Sequence, residues 1–298
     1  MAESTNPPKR IWASLITNLD YLPGLLTLFH SLRSTNTQYP FVAFYTSSFP
    51  AEGQAALHAR GIRTQPVPNL QPGQSREYAH DPRFQETWTK LVVFSLVEYD
   101  RIVLLDGDML GETEGEETGN RVFAASHACA CNPLKKSHYP KTWIPSNCAF
   151  TTQHATPSAA QTSGAPSSTG VGMLNSGLLV VVPSQSTFSL IRDAMDTPSR
   201  TAGYDFPDQE LLSDVFRGRW VALPYVYNAL KTLRWEGVHD AIWQDEQVKN
   251  VHYIFAKKPW HEDPVAEEAE MDETNRWWWR ANLERQRGER EGGITDGY

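Results

Sequence analysis

Only three cysteines occur in 298 residues, Cys129, Cys131 and Cys148, and so sparse and odd a set excludes a disulfide framework. Zinc is the other use for neighbouring thiols. It would need a fourth ligand from His127, His138 or His154, and C-x-C is not the spacing of a standard finger, so reduced, packed thiols are the expectation. Long apolar runs are also missing. The opening "MAESTNPPKRIWASLITNLDYL" is interrupted at Asn18 and Asp20, short of a signal-peptide core, and no later stretch reaches the ~20 apolar residues of a spanning helix. The expectation is a cytoplasmic protein without a membrane partner. Positive charge is scarce as well: the formal net charge is −8 and no Lys/Arg block stands out, which argues against nucleic acid as a partner.

What is present suffices for a core, since 40% of the residues are hydrophobic. "RIWASLIT" (10–17), "FVAFYT" (41–46), "IRTQPVP" (62–68), "RIVLLD" (101–106) and "GMLNSGLLVVVPS" (172–184) read as strands. Helical spacing appears in "YLPGLLTLFHSLRS" (21–34), "AEGQAALHARG" (51–61), "ETWTKLVVFSLVEYD" (86–100) and "FPDQELLSDVFRGRW" (206–220). Strands alternating with helices imply an α/β fold with a doubly wound, mainly parallel central sheet. "VKNVHYIFAKKPW" (248–260) holds a last short strand. Beyond His261 an acidic segment leads into a helix with three tryptophans, "ETNRWWWRANLERQRGERE". With no repeat and no clear linker, residues 1–298 are expected to form a single domain. "GETEGEETGN" (111–120) reads as a solvated loop. Residues 154–170, small and polar, read as a mobile insertion near the mouth of the site.

The chemistry concentrates where "RIVLLDGDML" ends its apolar run in two carboxylates. In extended chain, residues i and i+2 face the same side, so Asp106 and Asp108 project together across Gly107 and repel unless a cation neutralises them. Oxygen donors suit manganese or magnesium. Alone, such a D-G-D is most often a solvated turn. His252 could complete a ligand set, Lys258 could meet a phosphate, and "LNSGLL" (174–179) puts polar Asn175 and Ser176 inside an apolar strand, where they need partners. Asp208 and Gln209 open a helix, where an acidic residue also serves as a cap.

In chain order, "LITNLDY", "TWTKL", "LLDGDML", "LNSGLL", "DQELL" and "HYIFAKKPW" resemble glycosyltransferase family 8, which includes glycogenins, galactinol synthases and bacterial galactosyltransferases. The resemblance implies a GT-A nucleotide-diphospho-sugar transferase fold. It also implies a retaining hexosyltransferase that uses manganese and a UDP-sugar donor. On that resemblance Asp106, Asp108 and His252 are the metal ligands, and Thr17, Asn18 and Tyr21 contact uridine. Lys90 reaches the donor and Lys258 the diphosphate; Asn175, Ser176 and Gly177 surround the transferred sugar. Asp208 and Gln209 sit at the point of reaction. Phe255 stands where glycogenins carry a glycine.

Segments such as "CACNP", "HYPKTWIPSNC" and "NRWWW" resemble galactinol synthases more narrowly, which implies UDP-galactose as donor and a small polyol as acceptor; a homodimer fits this reading. The other readings are UDP-glucose with a saccharide acceptor, glycogenin-like self-glucosylation, a silent UDP-sugar-binding protein, and a phosphohydrolase. Self-glucosylation is disfavoured because no tyrosine lies between Asn228 and Val251, Tyr225 and Tyr227 reading as part of a strand and its exit.

Overall fold

The computed structural model describes residues 9–74, 78, 82–111, 122–266 and 269–298. Among these residues a seven-stranded sheet runs in the order β3-β2-β1-β4-β7-β6-β8. Its strands are β1 (Arg10–Ile16), β2 (Phe41–Tyr45), β3 (Arg63–Pro66), β4 (Arg101–Leu105), β6 (Phe123–His127), β7 (Leu174–Val181) and β8 (Val221–Ala222). A second, three-stranded sheet orders β5 (Met109–Gly111), β10 (Asn250–His252) and β9 (Ala229–Leu230) as β5-β10-β9. The near-continuous burial of β1, β2 and β6 is what parallel central strands covered on both faces require.

The helices are α1 (Leu22–Ser34), α2 (Ala51–Ala59), α3 (Pro157–Ala160), α4 (Gln185–Met195), α5 (Pro198–Thr201), α6 (Pro207–Val215) and α7 (Glu273–Glu291). Helix α1 starts on a proline in its first turn and buries Leu22, Leu25, Leu26, Leu28 and Leu32, one stripe of helical spacing. Helix α2 ends where Gly61 takes φ 66°. Ile62 N–H then bonds Leu57 O at 3.1 Å, a left-handed glycine stop. One core cluster includes Trp88, Phe94, Phe123 and Trp220, and another packs α1 and α2 on Trp12, Phe41 and Leu105. Helix α7 adds Trp278, fully buried beside Trp260 at a ring separation of 5.5 Å. None of these helices is long and apolar enough to cross a membrane.

The mainly parallel sheet agrees with the sequence reading, with one difference. Strand β7 runs antiparallel to both β4 and β6, because the chain reaches it through irregular segments rather than a crossover helix. The stretch expected as a helix over 86–100 is instead a 3-10 segment, Thr87–Ser95. Its branched Thr87, Thr89, Val92 and Val93 are crowded in an α-helix. Tyr225–Asn228 is likewise a 3-10 turn rather than a strand.

The stretch 154–170, expected as a mobile insertion, has local structure of its own. This segment carries α3, buries Ala160 and Ala165, and is clamped where the Gln161 amide donates to Ile242 O at 2.7 Å and its Oε1 accepts from the Tyr225 hydroxyl at 2.9 Å. Backbone approaches too tight for a Cβ explain Gly164 and Gly170, and none of the segment's side chains lines the central cavity. The acidic stretch 112–120 lies outside the described residues.

Candidate active site

Strand β4 delivers the D-G-D turn to the sheet's carboxyl edge, where open α/β sheets place their ligand crevice. Two backbone bonds pin the turn: Asp106 N–H donates to Gly177 O on β7 at 2.9 Å, and Tyr253 N–H donates to Asp108 O at 3.0 Å. The antiparallel pairing of β5 with β10 sets His252 opposite Met109, next to Asp108, although the two lie far apart in sequence. Hence His252 Nε2 stands 3.5 Å from Asp108 Oδ1 and 3.9 Å from Asp106 Oδ2.

The orientation of His252 is fixed from behind. Its Nδ1–H donates to Asn228 Oδ1 at 2.9 Å, the Asn228 amide donates to Asn175 Oδ1 at 2.9 Å, and Asn175 Nδ2 reaches Gln209 Oε1 at 3.4 Å. This chain leaves the Nε2 lone pair aimed at the carboxylates, the tautomer a metal ligand needs. Asn175 Oδ1 also accepts from Gly177 N–H at 3.0 Å, so the asparagine inside β7 is satisfied. Gly177 itself is explained by the histidine: a Cβ there would lie 2.3 Å from His252 Cε1.

Two lysines hold the carboxylates. Lys90 Nζ donates to Asp106 Oδ2 at 2.8 Å and stands 3.8 Å from Asp208 Oδ2, while Lys258, 2% exposed, bonds Asp108 and Tyr253 O. Burial pushes the Asp106 carboxyl above its usual range against the pull of Lys90, and Asp108 adds to the rise. Burial opposes ionisation of Asp108 too, but Lys258 and His252 outweigh it and hold that carboxyl well below the usual range. For Lys90 burial is likewise overcome, by Asp106 and Asp208, and the ammonium is held above its ordinary value.

The residues that the family resemblance assigns to the site line one cavity of about 250 Å³. These are Thr17, Asn18, Tyr21, Lys90, Asp106, Asp108, Asn175, Ser176, Gly177, Asp208, Gln209, His252 and Lys258. The Tyr21 ring meets Trp260 edge-on at 5.7 Å and has Lys258 Nζ 5.6 Å from its centroid. Phe255 takes φ 78°, the left-handed conformation that suits a glycine, and turns its ring toward Lys136 Nζ, 4.4 Å from the centroid. Sequence reasoning missed Asn228, a single asparagine in a 3-10 turn, and Glu86, whose carboxylate bonds Thr17 and Asn18. Nothing in local spacing marks either residue.

The comparisons with known proteins agree with this geometry. The family model "Glycosyl transferase family 8" matches residues 13–264. Galactinol synthase 4 of Arabidopsis thaliana is 26% identical over 290 residues, covering 91% of this chain and 81% of the relative. Among solved structures, the galactosyltransferase LgtC in complex with donor and acceptor sugar analogs superposes with a TM-score of 0.59 at 17% identity, over 92% of this chain and 96% of that one. GlyE of Streptococcus pneumoniae gives 0.58 at 15% identity, covering 92% of this chain and 61% of the GlyE chain. The GT-A glycosyltransferase fold is thus shared. With the family model spanning most of its length, this chain belongs to glycosyl transferase family 8 and is a glycosyltransferase.

Proposed function

We propose that this glycosyltransferase moves a hexose, galactose before glucose, from a UDP-sugar to a small polyol or saccharide with retention at the anomeric carbon, in the manner of the galactinol synthases it is similar to. The observation that carries this is the convergence of Asp106, Asp108 and His252, whose donor atoms lie within 4.8 Å of one another in the cavity. Two carboxylate oxygens and an imidazole nitrogen fit manganese, with magnesium as the alternative. A divalent ion held by these three residues supplies Lewis-acid stabilisation of the UDP leaving group.

The protein's own groups do the rest. Lys258 places a buried positive charge where the diphosphate gains negative charge, an electrostatic role strengthened by exclusion of water. Tyr21, Thr17 and Asn18, assigned to uridine, and Asn175, Ser176 and Gly177, assigned to the hexose, all line this cavity. Asp208 is favoured over Gln209 as the group that meets the positive charge growing at the anomeric carbon. Its buried Oδ2 has no hydrogen-bond partner, whereas the Gln209 amide is engaged with Asn175 and Met173.

The test follows UDP release from UDP-galactose and UDP-glucose with and without manganese, across a panel of polyols and saccharides, with product analysis. Release should need manganese, rise with one acceptor, and fall on the order of 100-fold in Asp108→Ala. Nucleotide binding without turnover on any acceptor would instead identify a silent binder. Hexose mass appearing on the protein itself would replace this reading with self-glucosylation.

A further inference from the structure

The three cysteines left without a role in the sequence come together. Cys129 and Cys131 follow β6, Cys148 follows the short 3-10 turn Pro145–Asn147, and His239 arrives from a turn far along the chain. One Sγ from each cysteine and one ring nitrogen of His239 all lie within 4.8 Å of one another. His239 Nε2 stands 3.2 Å from Cys131 Sγ and 3.3 Å from Cys148 Sγ, and both His239 and Cys148 are 0% exposed. A tetrahedral zinc ion, with bonds of about 2.3 Å to sulfur and about 2.0–2.1 Å to nitrogen, spaces its ligand atoms by about 3.5–3.8 Å. The two nitrogen–sulfur separations lie slightly inside that spacing, and the whole set is compact enough for one ion.

The second ring nitrogen of His239 strengthens the case. Nδ1 lies 2.8 Å from His154 Nε2, so His154 is placed to accept Nδ1–H in the tautomer that turns the Nε2 lone pair to the sulfurs. Metal-bound imidazoles nearly always hand their other N–H to such an acceptor. The histidines expected from the sequence as fourth ligand are thereby excluded. His127 is committed to Ala165 O at 2.9 Å, His138 packs edge-on to Tyr139, and His154 stands one step behind the cage. The surroundings call for a staple as well. Between β6 and β7, and from residue 223 to 249, regular structure is limited to α3, β9 and short 3-10 turns around a small apolar cluster of its own.

We propose that Cys129, Cys131, Cys148 and His239 hold a structural zinc ion. Four protein ligands leave no open position for a substrate, so the role is to fix the chain. Soft sulfur donors select zinc, while the oxygen-rich triad of the cleft suits manganese or magnesium, so the two sites sort their metals by ligand chemistry. What the ion would fix is a wall of the cleft: Cys129, Asn132, Lys136, Tyr139 and Trp143 all line the cavity. The proposal stands on these residues and is independent of the transfer reading.

Metal analysis of the full chain, purified without added metal and dialysed against EDTA, is the test. About one zinc per chain should remain in the wild type and in Asp108→Ala, since a closed thiolate site binds far more tightly than the open carboxylate site. Cys148→Ser should lose it. His239→Cys, which keeps a tetrahedral thiolate set, should retain it and stay folded. Cobalt substituted into the wild-type protein should show thiolate-to-cobalt charge-transfer absorption, a readout that does not depend on any variant folding. A chain with negligible zinc, three thiols freely titrated in the native state and no cobalt–thiolate band would overturn the proposal, as would a disulfide among the three cysteines.

Discussion

At the scale of single residues, the site is a set of mutual accommodations. Gly177 has no side chain because the His252 ring occupies the space, and Asn228 holds that ring by the nitrogen it does not present to the carboxylates. On the proposal that Asp106, Asp108 and His252 hold manganese, Gly177→Ala should displace His252 and weaken that binding by about 10–100-fold. Calorimetric titration of manganese checks this, with circular dichroism confirming that the fold persists; unchanged affinity would detach Gly177 from the metal site. Asp106, Asp108, His252 and Lys258 could be singled out in the sequence because they fall within motifs that resemble one family in chain order; a D-G-D alone reads as a solvated turn. Asn228 and His239 could not. Their roles come from residues remote in sequence, and a lone asparagine or histidine in a turn has no period to betray it.

At the scale of elements, the D-G-D turn is held by close backbone contact. A Cβ on Gly24 of α1 would lie 2.2 Å from Gly107 O and 2.6 Å from the Trp260 ring, so the helix, the turn and the segment before α7 meet with no room for a methyl group. Gly24→Ala should cost about 1–3 kcal/mol by overpacking, despite alanine's better helix propensity. It should also lower turnover, because the only relief is to move the turn that carries Asp106 and Asp108. A melting temperature equal to wild type would show that α1 yields more easily than this packing implies. The strands and helices around this junction were legible from their periods. The antiparallel direction of β7 was not, since direction depends on what lies between strands, and residues 128–173 have no dominant period to read.

At the scale of the whole molecule, a regular α/β half carrying the carboxylates faces an irregular half carrying the cysteine–histidine cage, and the cavity lies between them. Composition pointed to the first half and misled about the second. Small polar residues at 154–170 suggested a chain too poor in apolar surface to order, yet the segment carries α3, buries Ala160 and Ala165, and brings backbone against backbone at Gly164 and Gly170. One side chain reaches across the two halves. Phe255 accepts a left-handed backbone that costs a residue with a Cβ about 1–2 kcal/mol, and its ring returns part of this through Lys136 on the opposite wall, a cation–π contact worth about 0.5–1 kcal/mol where exposed. The contact offsets only part of the strain, but it is weak, so swinging the ring away from Lys136 would cost only about 0.5–1 kcal/mol, and the ring is placed to act as a latch on the cleft. On the UDP-sugar reading, Phe255→Gly should leave the melting temperature almost unchanged while nucleotide exchange, followed by stopped-flow displacement, speeds up several-fold; unchanged exchange would make the ring a passive filler. The phenylalanine would then set how long the cleft keeps its nucleotide, a property of timing rather than of affinity or chemistry.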